Sequence, residues 1–286
     1  MKRGSRCLGR ITGQQYEAGP SALYGGASHR FDEIAISLPT ALVLLGAGTL
    51  AGAEGSAGGI TSLVSYPALL GVGISPLPAN VTQAVAFVAS WPGSALGSRP
   101  ELRGQARRLR RWAPVVAAGG ASGVALLLCL PAGAFDRLVP FMVALGSLAL
   151  LAQPRVTAVR RSGPSRMRQF LFLCGLFAVA VYDGYFGAGA GVITLAFLLM
   201  AGEQGLPRAN ALKNALLGVA DVVAAAGFAL FGPVQWLAVA PLAVGLLAGS
   251  SIGPSLTRRV PATVLRVVVA LTGLGLAVRL WVAPVA

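Results

Sequence analysis

Ten apolar stretches separated by short polar segments follow a polar beginning of the chain. Residues 1–33 are mixed in charge and lack apolar periodicity, which predicts a disordered tail. A helix needs about 20 residues to cross the hydrocarbon core of a membrane, and most stretches are long enough. The second, sixth and seventh are short or interrupted by glycine, so eight and ten full crossings both fit the pattern. The stretches are residues 34–53, 57–74, 79–97, 112–131, 134–152, 169–184, 189–201, 211–231, 236–256 and 264–284.

The composition indicates an integral membrane protein. Of 286 residues, 55% are hydrophobic and 11% are charged, whereas a soluble domain has about 25% charged residues. The net charge of +14 comes from short basic clusters between apolar stretches, without interleaved aromatic residues, so a nucleic-acid partner is not expected. His29 is the only histidine, which excludes zinc sites built on two or more histidines. We expect no metal site and no cofactor.

The basic loops indicate how the chain is oriented. With ten crossings, the loops after the third, fifth and ninth stretches lie on one side, and the positive-inside rule makes that side cytoplasmic. The predicted organisation is a first transmembrane repeat over residues 34–153, a basic cytoplasmic linker over 154–168 and a second repeat over 169–286. The basic residues of the three loops are Arg99, Arg103, Arg107, Arg108, Arg110 and Arg111, then Arg155, Arg160, Arg161, Arg166 and Arg168, then Arg258 and Arg259.

The two halves share a pair of motifs. Gly55 corresponds to Gly187 in a glycine-rich segment, and Asn80 corresponds to Asn210 in a second segment further along. Five stretches in each half is an odd number, so related halves would lie in opposite orientations, as an inverted repeat requires. Such a glycine-interrupted pair marks the central binding site of many transporters. The alternative is that a bias towards small residues imitates a repeat.

The glycine-rich segments predict broken helices. Irregular backbone is tolerated in a membrane only where it is buried in protein or lines a cavity. A helix that restarts there presents free N–H groups and a positive dipole end, which favour an anion. The alternative is close helix packing through small residues. The glycines concerned are Gly55, Gly58 and Gly59 in the first half and Gly187, Gly189 and Gly191 in the second.

The asparagine motifs supply polar side chains on one helix face. Asn210, Lys213 and Asn214 are spaced i, i+3 and i+4, and Asn80 and Gln83 repeat the first spacing. Lys213 is the only lysine beyond the tail, and an ionisable residue within a membrane span indicates function. We therefore expect these five residues to surround an anionic substrate. The alternative is that Lys213 extends to the cytoplasmic interface.

Two acidic residues within apolar stretches are candidates for proton coupling. Asp183 and Asp221 would carry coupling protons, or alternatively serve as structural partners, for example in an ion pair between Asp183 and Lys213. Tyr182-Asp183 also suggests an intramembrane aspartyl protease, in which two carboxylates share a proton. The segment before Asp221 lacks the second glycine of that protease motif, so this alternative is the weakest.

These segments resemble the TauE/SafE family of bacterial membrane transporters, the sulfite exporters, over residues 38–283. The resemblance implies export of sulfite, a sulfonate or a similar small sulfur-containing anion, with energy from an ion gradient. The first half departs from the family pattern in Ala-Glu-Gly-Ser before its glycines and in Val81-Thr82-Gln83. The resemblance is strongest at 182–191, 208–214, 55–59, 78–80 and 99–104.

The sequence thus predicts an all-α polytopic membrane protein of eight to ten transmembrane segments in two inverted halves. Its expected function is secondary transport of a small anion across the bacterial cytoplasmic membrane, without enzymatic activity. No Walker motif is present, so direct use of ATP is not expected. Expected partners are the anion and the lipid bilayer, with a homodimer left open. A transporter or channel for another solute, such as an organic acid or a metal cation, is the main alternative.

Overall fold

A computed structural model describes residues 37–58, 61–130, 166–200 and 206–256, with single residues at 135, 137, 138, 141, 142, 144, 148, 271, 274, 275 and 278. These ranges are helical throughout, apart from short connections, and contain no strand, which confirms the predicted all-α class for this part of the chain. The predicted tail, the linker up to residue 165 and most of the fifth and tenth stretches lie outside the described residues, whereas residues 166–168 of the linker begin a helix. The helices are α1 (Leu38–Gly58), α2 (Thr61–Gly71), α3 (Pro76–Phe87), α4 (Ser90–Gly97), α5 (Arg99–Leu102), α6 (Ala106–Cys129), α7 (Arg166–Tyr185), α8 (Ala190–Met200), α9 (Leu206–Phe231) and α10 (Trp236–Leu256).

Three helices of the described chain are long and apolar enough to cross a membrane. They contain the segments Leu38–Ser56, Ala106–Cys129 and Pro207–Phe231. The segments Gln169–Tyr185, Ala190–Leu199 and Trp236–Ile252 are apolar but shorter. Large apolar side chains point away from the protein on several of these helices, as lipid contact requires and as a water-facing surface would not tolerate. Examples are Leu38, Leu42, Leu50, Phe170, Leu171 and Leu230.

Helices α1 and α10 pack against each other through glycines. A Cβ atom on Gly52 of α1 would collide with the backbone of Leu246 and Ser250 on α10. On the opposite side of the contact, a Cβ atom on Gly249 would collide with the backbone of α1 at Thr49. Small residues allow such close approach, which is how helices associate in lipid. The contact fixes α10 beside α1 from Leu45 to Ala53.

A second glycine contact brings α6, α7 and α9 together. Gly120 of α6 lies against Gly184 of α7, where a Cβ atom would collide with the Gly120 backbone. The same Gly120 faces Ala220 of α9, whose carbonyl oxygen would lie 3.3 Å from an added Cβ atom. Gly120 therefore lies between α7 and α9. Its neighbours there are Gly184, next to Asp183 in the chain, and Ala220, next to Asp221.

The described helices end and begin again at both glycine-rich segments, and Gly59 and Ile60 in the first of them lie outside the described residues. Helix α1 ends at Gly58 and α2 begins at Thr61, while α7 ends at Tyr185 and α8 begins at Ala190. In the second interruption Gly187 and Gly189 have φ angles of +76° and +75°. Glycine adopts this left-handed backbone without the penalty that a Cβ atom would impose, and it commonly ends helices for that reason.

The third predicted stretch, residues 79–97, forms two helices rather than one. Helix α3 ends at Phe87 and α4 begins at Ser90, with Pro92 in the first turn of α4. Proline has no N–H group and cannot donate to the carbonyl four residues earlier, so a continuous helix is disfavoured here. Both α3 and α4 contact α9 and α10.

Candidate functional site

The asparagine motif of the second half contacts the interrupted helix of the first half. The side-chain amide of Asn210 donates a hydrogen bond to the carbonyl oxygen of Ser56 at 2.8 Å, and the amide of Asn214 donates to the same oxygen at 3.2 Å. Ser56 lies in the last turn of α1, whose carbonyl groups have no partner within the helix. The two amides therefore satisfy a helix end that is buried inside the protein.

Lys213 lies in the same contact and is buried. Its side chain is 1% exposed, and Nζ donates a hydrogen bond to the carbonyl oxygen of Gly55 at 3.1 Å. The alternative that Lys213 extends to the membrane interface is therefore wrong. The described residues also give Lys213 no ion pair with Asp183, so the proposed pair between them is absent there. One carbonyl group satisfies one of the three ammonium protons.

The first half makes the corresponding contact with the second interruption. The side-chain amide of Asn80 on α3 donates a hydrogen bond to the carbonyl oxygen of Tyr185, the last residue of α7, at 3.0 Å. Gln83 donates to Asn80 Oδ1 at 3.3 Å and accepts a hydrogen bond from Ser65 Oγ at 2.8 Å. The hydroxyl group of Ser62 donates to the carbonyl oxygen of Gly187 at 3.2 Å. These polar groups satisfy one another.

A cavity of about 60 Å³ opens beside Lys213. This volume is several times the roughly 10–15 Å³ that a single water molecule needs, so the cavity has room for a small polyatomic ion. Its walls come from α1, α2, α4, α9 and α10, and therefore from both halves of the chain. The lining residues are Gly52, Gly55, Ser56, Thr61, Ser90, Trp91, Ser94, Lys213, Asn214, Leu217, Gly218, Asp221 and Ser250.

Three serine hydroxyl groups of the cavity wall donate their protons to main-chain carbonyl groups three residues earlier. Ser90 Oγ donates to the Phe87 carbonyl at 2.7 Å, and Ser94 Oγ donates to the Trp91 carbonyl at 3.1 Å. Ser250 Oγ donates to the Leu247 carbonyl at 3.1 Å. A hydroxyl group has one proton and two lone pairs, so each of these serines remains free to accept a hydrogen bond from the cavity.

Trp91 lies across one side of the cavity. Its indole ring rests on Gly218 of α9, where a Cβ atom would collide with ring atoms Cδ1 and Nε1. Gly218 lies between Asn214 and Asp221 on α9, so the ring spans the cavity wall between these two polar side chains. Trp91 is itself 37% exposed, which places the ring at a boundary of the site.

The two candidate coupling residues occupy different positions. Asp221 lines the cavity together with Lys213, eight residues away on α9. That separation corresponds to a rise of about 12 Å along the helix. Asp183 does not line the cavity and lies on α7 behind Gly120, beside the second interruption. Tyr182, its neighbour, donates a hydrogen bond to the Ala188 carbonyl at 2.6 Å and so closes the turn that follows α7.

The structure divides the predicted site residues into two groups. Gly55, Lys213, Asn214 and Asp221 line the cavity, and Asn210 contacts its wall at Ser56. Asn80, Gln83, Gly187, Gly189 and Asp183 lie at the second interruption, and Gly191 is in α8. Gly58 ends α1, and Gly59 lies outside the described residues. Whether any of them contacts a substrate stays a prediction.

Sequence reasoning did not select five hydroxyl-bearing residues that line the cavity. They are Ser56, Thr61, Ser90, Ser94 and Ser250. A signal for some of them was present, because hydroxyl residues recur on both sides of Trp91 and in Ser250-Ser251 within otherwise apolar stretches. Serine is also a common packing residue in membrane helices, so composition alone does not separate the two roles.

Apolar helices long enough to cross a membrane, with a buried lysine in a polar cavity between them, are the arrangement expected of a membrane transport protein. The chain belongs to the sulfite exporter TauE/SafE family, whose sequence pattern matches residues 40–280. It is 27% identical over 244 residues to "Probable membrane transporter protein ORF9" of Sinorhizobium sp, covering 82% of this chain and 90% of that protein. A "Probable membrane transporter protein" of Haemophilus influenzae is 28% identical over 211 residues, covering 71% and 80%. No solved structure gives a significant match.

Proposed function

We propose that this protein is a secondary transporter that exports a small anion, sulfite or an organosulfonate, across the bacterial cytoplasmic membrane as a multi-pass protein. The observation that carries the proposal is Lys213, which is 1% exposed and lies in the wall of a cavity wide enough for a small ion. A buried ammonium group is costly unless it is paired. One carbonyl contact leaves donors for an anion, and the family supplies the sulfur-containing class.

The proposal includes two halves in inverted orientation. In each half, the side-chain amide of an asparagine donates a hydrogen bond to a carbonyl group in the last turn of a helix from the other half. Asn210 donates to Ser56, and Asn80 donates to Tyr185. Reciprocal contacts of this kind are expected where two related halves meet at a pseudo-two-fold axis. They support the inverted repeat, and they support a substrate site at the boundary between the halves.

In this proposal a proton gradient drives export, with Asp221 as the coupling residue closest to the substrate. Asp221 lines the same cavity as Lys213, so protonation of its carboxylate changes the net charge that the substrate meets. Asp183 is the second coupling residue. Gly120 lies between its chain neighbour Gly184 and Ala220, the chain neighbour of Asp221. The cavity opens to one side of the membrane at a time, as alternating access requires.

Uptake of labelled sulfite into inside-out vesicles tests the proposal. The variant Lys213→Gln removes the buried charge, and Arg208→Gln is the matched control because Arg208 is an exposed cation on the same helix. We expect Lys213→Gln to raise the KM for sulfite at least 10-fold and Arg208→Gln to leave it within 2-fold. Equal uptake by wild type and Lys213→Gln, or no uptake of any sulfur-containing anion, would contradict the assignment.

A transporter of a cation is the second candidate, because Asp221 and three acceptor hydroxyl groups also line the cavity. The same pair of variants separates the two functions. A cation pathway that contains Lys213 gains rate when the positive charge is removed, since like charges repel. An anion pathway loses affinity under the same change.

A further inference from the structure

Helices α6 and α7 lie side by side and run in the same direction. The ring of Trp112 on α6 contacts the ring of Phe172 on α7, with the ring centroids 5.0 Å apart. Further along both helices, a Cβ atom on Gly123 would collide with the backbone of Val181 and Gly184. Because the contacts advance to higher residue numbers on both helices, the beginnings of α6 and α7 lie at the same face of the membrane. The positive-inside rule makes this face cytoplasmic.

The beginnings of these two helices are basic and contain no acidic residue. The first two turns of α6 carry four exposed arginines, and α7 begins at Arg166. Helix α6 has no acidic residue along its whole length, and the first one on α7 is Asp183, near its other end. The arginines therefore find no carboxylate for an ion pair on either helix near this face. The four on α6 are Arg107, Arg108, Arg110 and Arg111.

Two of these arginines lie at the end of the lipid-facing side of α6. Arg107 and Arg111 are followed, at steps of three or four residues, by the exposed positions Pro114, Ala118 and Ser122. This spacing places all five residues on one helix face. Long basic side chains at the end of such a face extend their charged groups to the level of the lipid headgroups.

Helix α7 adds exposed apolar side chains at the same level. Met167, Phe170 and Leu171, in its first two turns, are 67%, 63% and 59% exposed. Between them and the arginines lies Trp112, whose ring centroid is 5.9 Å from the guanidinium carbon of Arg108. Positive charge and apolar surface are therefore offered together where α6 and α7 begin, as a molecule with a negative headgroup and a hydrocarbon chain requires.

We propose that the beginnings of α6 and α7 form a binding site for an anionic phospholipid of the cytoplasmic leaflet. The lipid phosphate lies against Arg107 and Arg111, and an acyl chain lies along Phe170 and Leu171. Clusters of about four or more basic residues at the cytoplasmic end of a membrane helix attract anionic headgroups. A soluble phosphate or an acidic protein would use the charge but would leave the apolar side chains without a partner. The site is separate from the cavity beside Lys213 and does not depend on what that cavity carries.

Quenching of tryptophan fluorescence by brominated lipid tests the site on the full chain in vesicles. Trp112 reports on the proposed site. Trp236 is the internal control, because it follows the end of α9, which runs parallel to α6 and so ends at the opposite membrane face. Trp91→Phe and Trp281→Phe are combined with either Trp236→Phe or Trp112→Phe, which leaves one of the two reporters in each chain.

The vesicles contain equal amounts of phosphatidylglycerol and phosphatidylcholine, and one of the two lipids is brominated close to its glycerol group. One arginine beside an anionic headgroup corresponds to about 5-fold in lipid binding. We expect at least that preference for phosphatidylglycerol at Trp112, and equal quenching by the two lipids at Trp236.

Charge variants locate the effect. Arg107→Gln combined with Arg111→Gln is expected to reduce the preference at Trp112 to less than about 2-fold, because both phosphate contacts are removed. The matched control is Arg103→Gln combined with Arg208→Gln. It removes the same charge from exposed arginines outside α6 and α7 and is expected to retain the preference. Phosphatidylglycerol retained through purification, measured by mass spectrometry, gives the same comparison without any change of tryptophan.

Equal quenching by the two lipids at Trp112 would overturn the proposal, as would equal retention of phosphatidylglycerol by wild type and the Arg107→Gln, Arg111→Gln variant. A preference of the same size at Trp236, or its loss in the matched control, would also overturn it, because the overall charge of the protein would then attract the lipid. Complete displacement of the lipid by soluble glycerol 3-phosphate would overturn the lipid as the occupant and would show a site for phosphate alone.

Discussion

The side-chain amide of Asn210 lies 2.8 Å from the carbonyl oxygen of Ser56, 154 residues earlier in the chain. This bond joins the start of α9 to the end of α1, so it connects two helices from different halves of the protein. Asn214 donates to the same oxygen at 3.2 Å. The two amides thus satisfy a carbonyl group at the buried end of α1. Lys213, which lies between them in the chain, donates to the preceding carbonyl group, that of Gly55.

Removing an amide at either interruption is expected to destabilise the protein. Asn80→Leu leaves the Tyr185 carbonyl without its donor and the side-chain N–H of Gln83 without its acceptor, because Asn80 bonds both. Loss of a buried hydrogen-bond partner costs about 1–3 kcal/mol. We expect a lower melting temperature in detergent for this variant. Ser122→Ala serves as the control, since Ser122 is exposed and bonds only its own helix, and an equal shift in both variants would contradict the structural role.

Gly187 is expected not to tolerate a side chain. Its φ angle is +76°, and an added Cβ atom would lie 3.1 Å from the Asp183 carbonyl oxygen. The left-handed backbone alone costs a non-glycine residue about 1–2 kcal/mol. Gly187→Ala should therefore lower the melting temperature. Gly46→Ala, at an open position in the middle of α1, should leave it unchanged or raise it, because alanine favours a helix.

The motifs could be recognised from sequence, but their partners could not. The spacing of Asn210, Lys213 and Asn214 placed them on one helix face, and the structure keeps them together against α1. That Asn210 bonds Ser56 depends on how α1 and α9 pack, a long-range relation that periodicity does not contain. The cavity hydroxyl groups of Ser90 and Ser250 are of the same kind, because their shared location exists only after α4 meets α10.

Burial decided one of the alternatives that the sequence left open. Lys213 at the beginning of an apolar stretch fits an interfacial position as well as a buried one, and only its 1% exposure separates them. The glycines served two roles that composition cannot distinguish. Gly52 packs α1 on α10, whereas Gly187 and Gly189 end and restart a helix. Local pattern therefore predicts helices well and their contacts poorly.

Crowding at Gly218 should close the cavity. Gly218→Ala places a methyl group where the ring of Trp91 now lies, so the ring must move towards the cavity or away from it. We expect a reduction of transport by about 10-fold. The double variant Trp91→Ala with Gly218→Ala removes the collision and should restore most of the rate. Failure of the double variant to recover, with normal melting temperature, would show that Gly218 acts through another neighbour.

Replacing Asp221 should separate substrate movement from the proton gradient. Asp221→Asn keeps the shape and polarity of the cavity wall but removes the carboxylate that would bind and release a proton. We expect export driven by a pH gradient to fall at least 10-fold, while exchange of labelled for unlabelled substrate at equal pH continues near the wild-type rate. Asp183→Asn is measured beside it, because Asp183 lies outside the cavity lining and its loss should not change substrate affinity. If the transport rate of Asp221→Asn depends on the pH gradient as steeply as that of wild type, another group carries the coupling proton. The same measurement on Asp183→Asn then shows whether that group is Asp183, on the other side of Gly120.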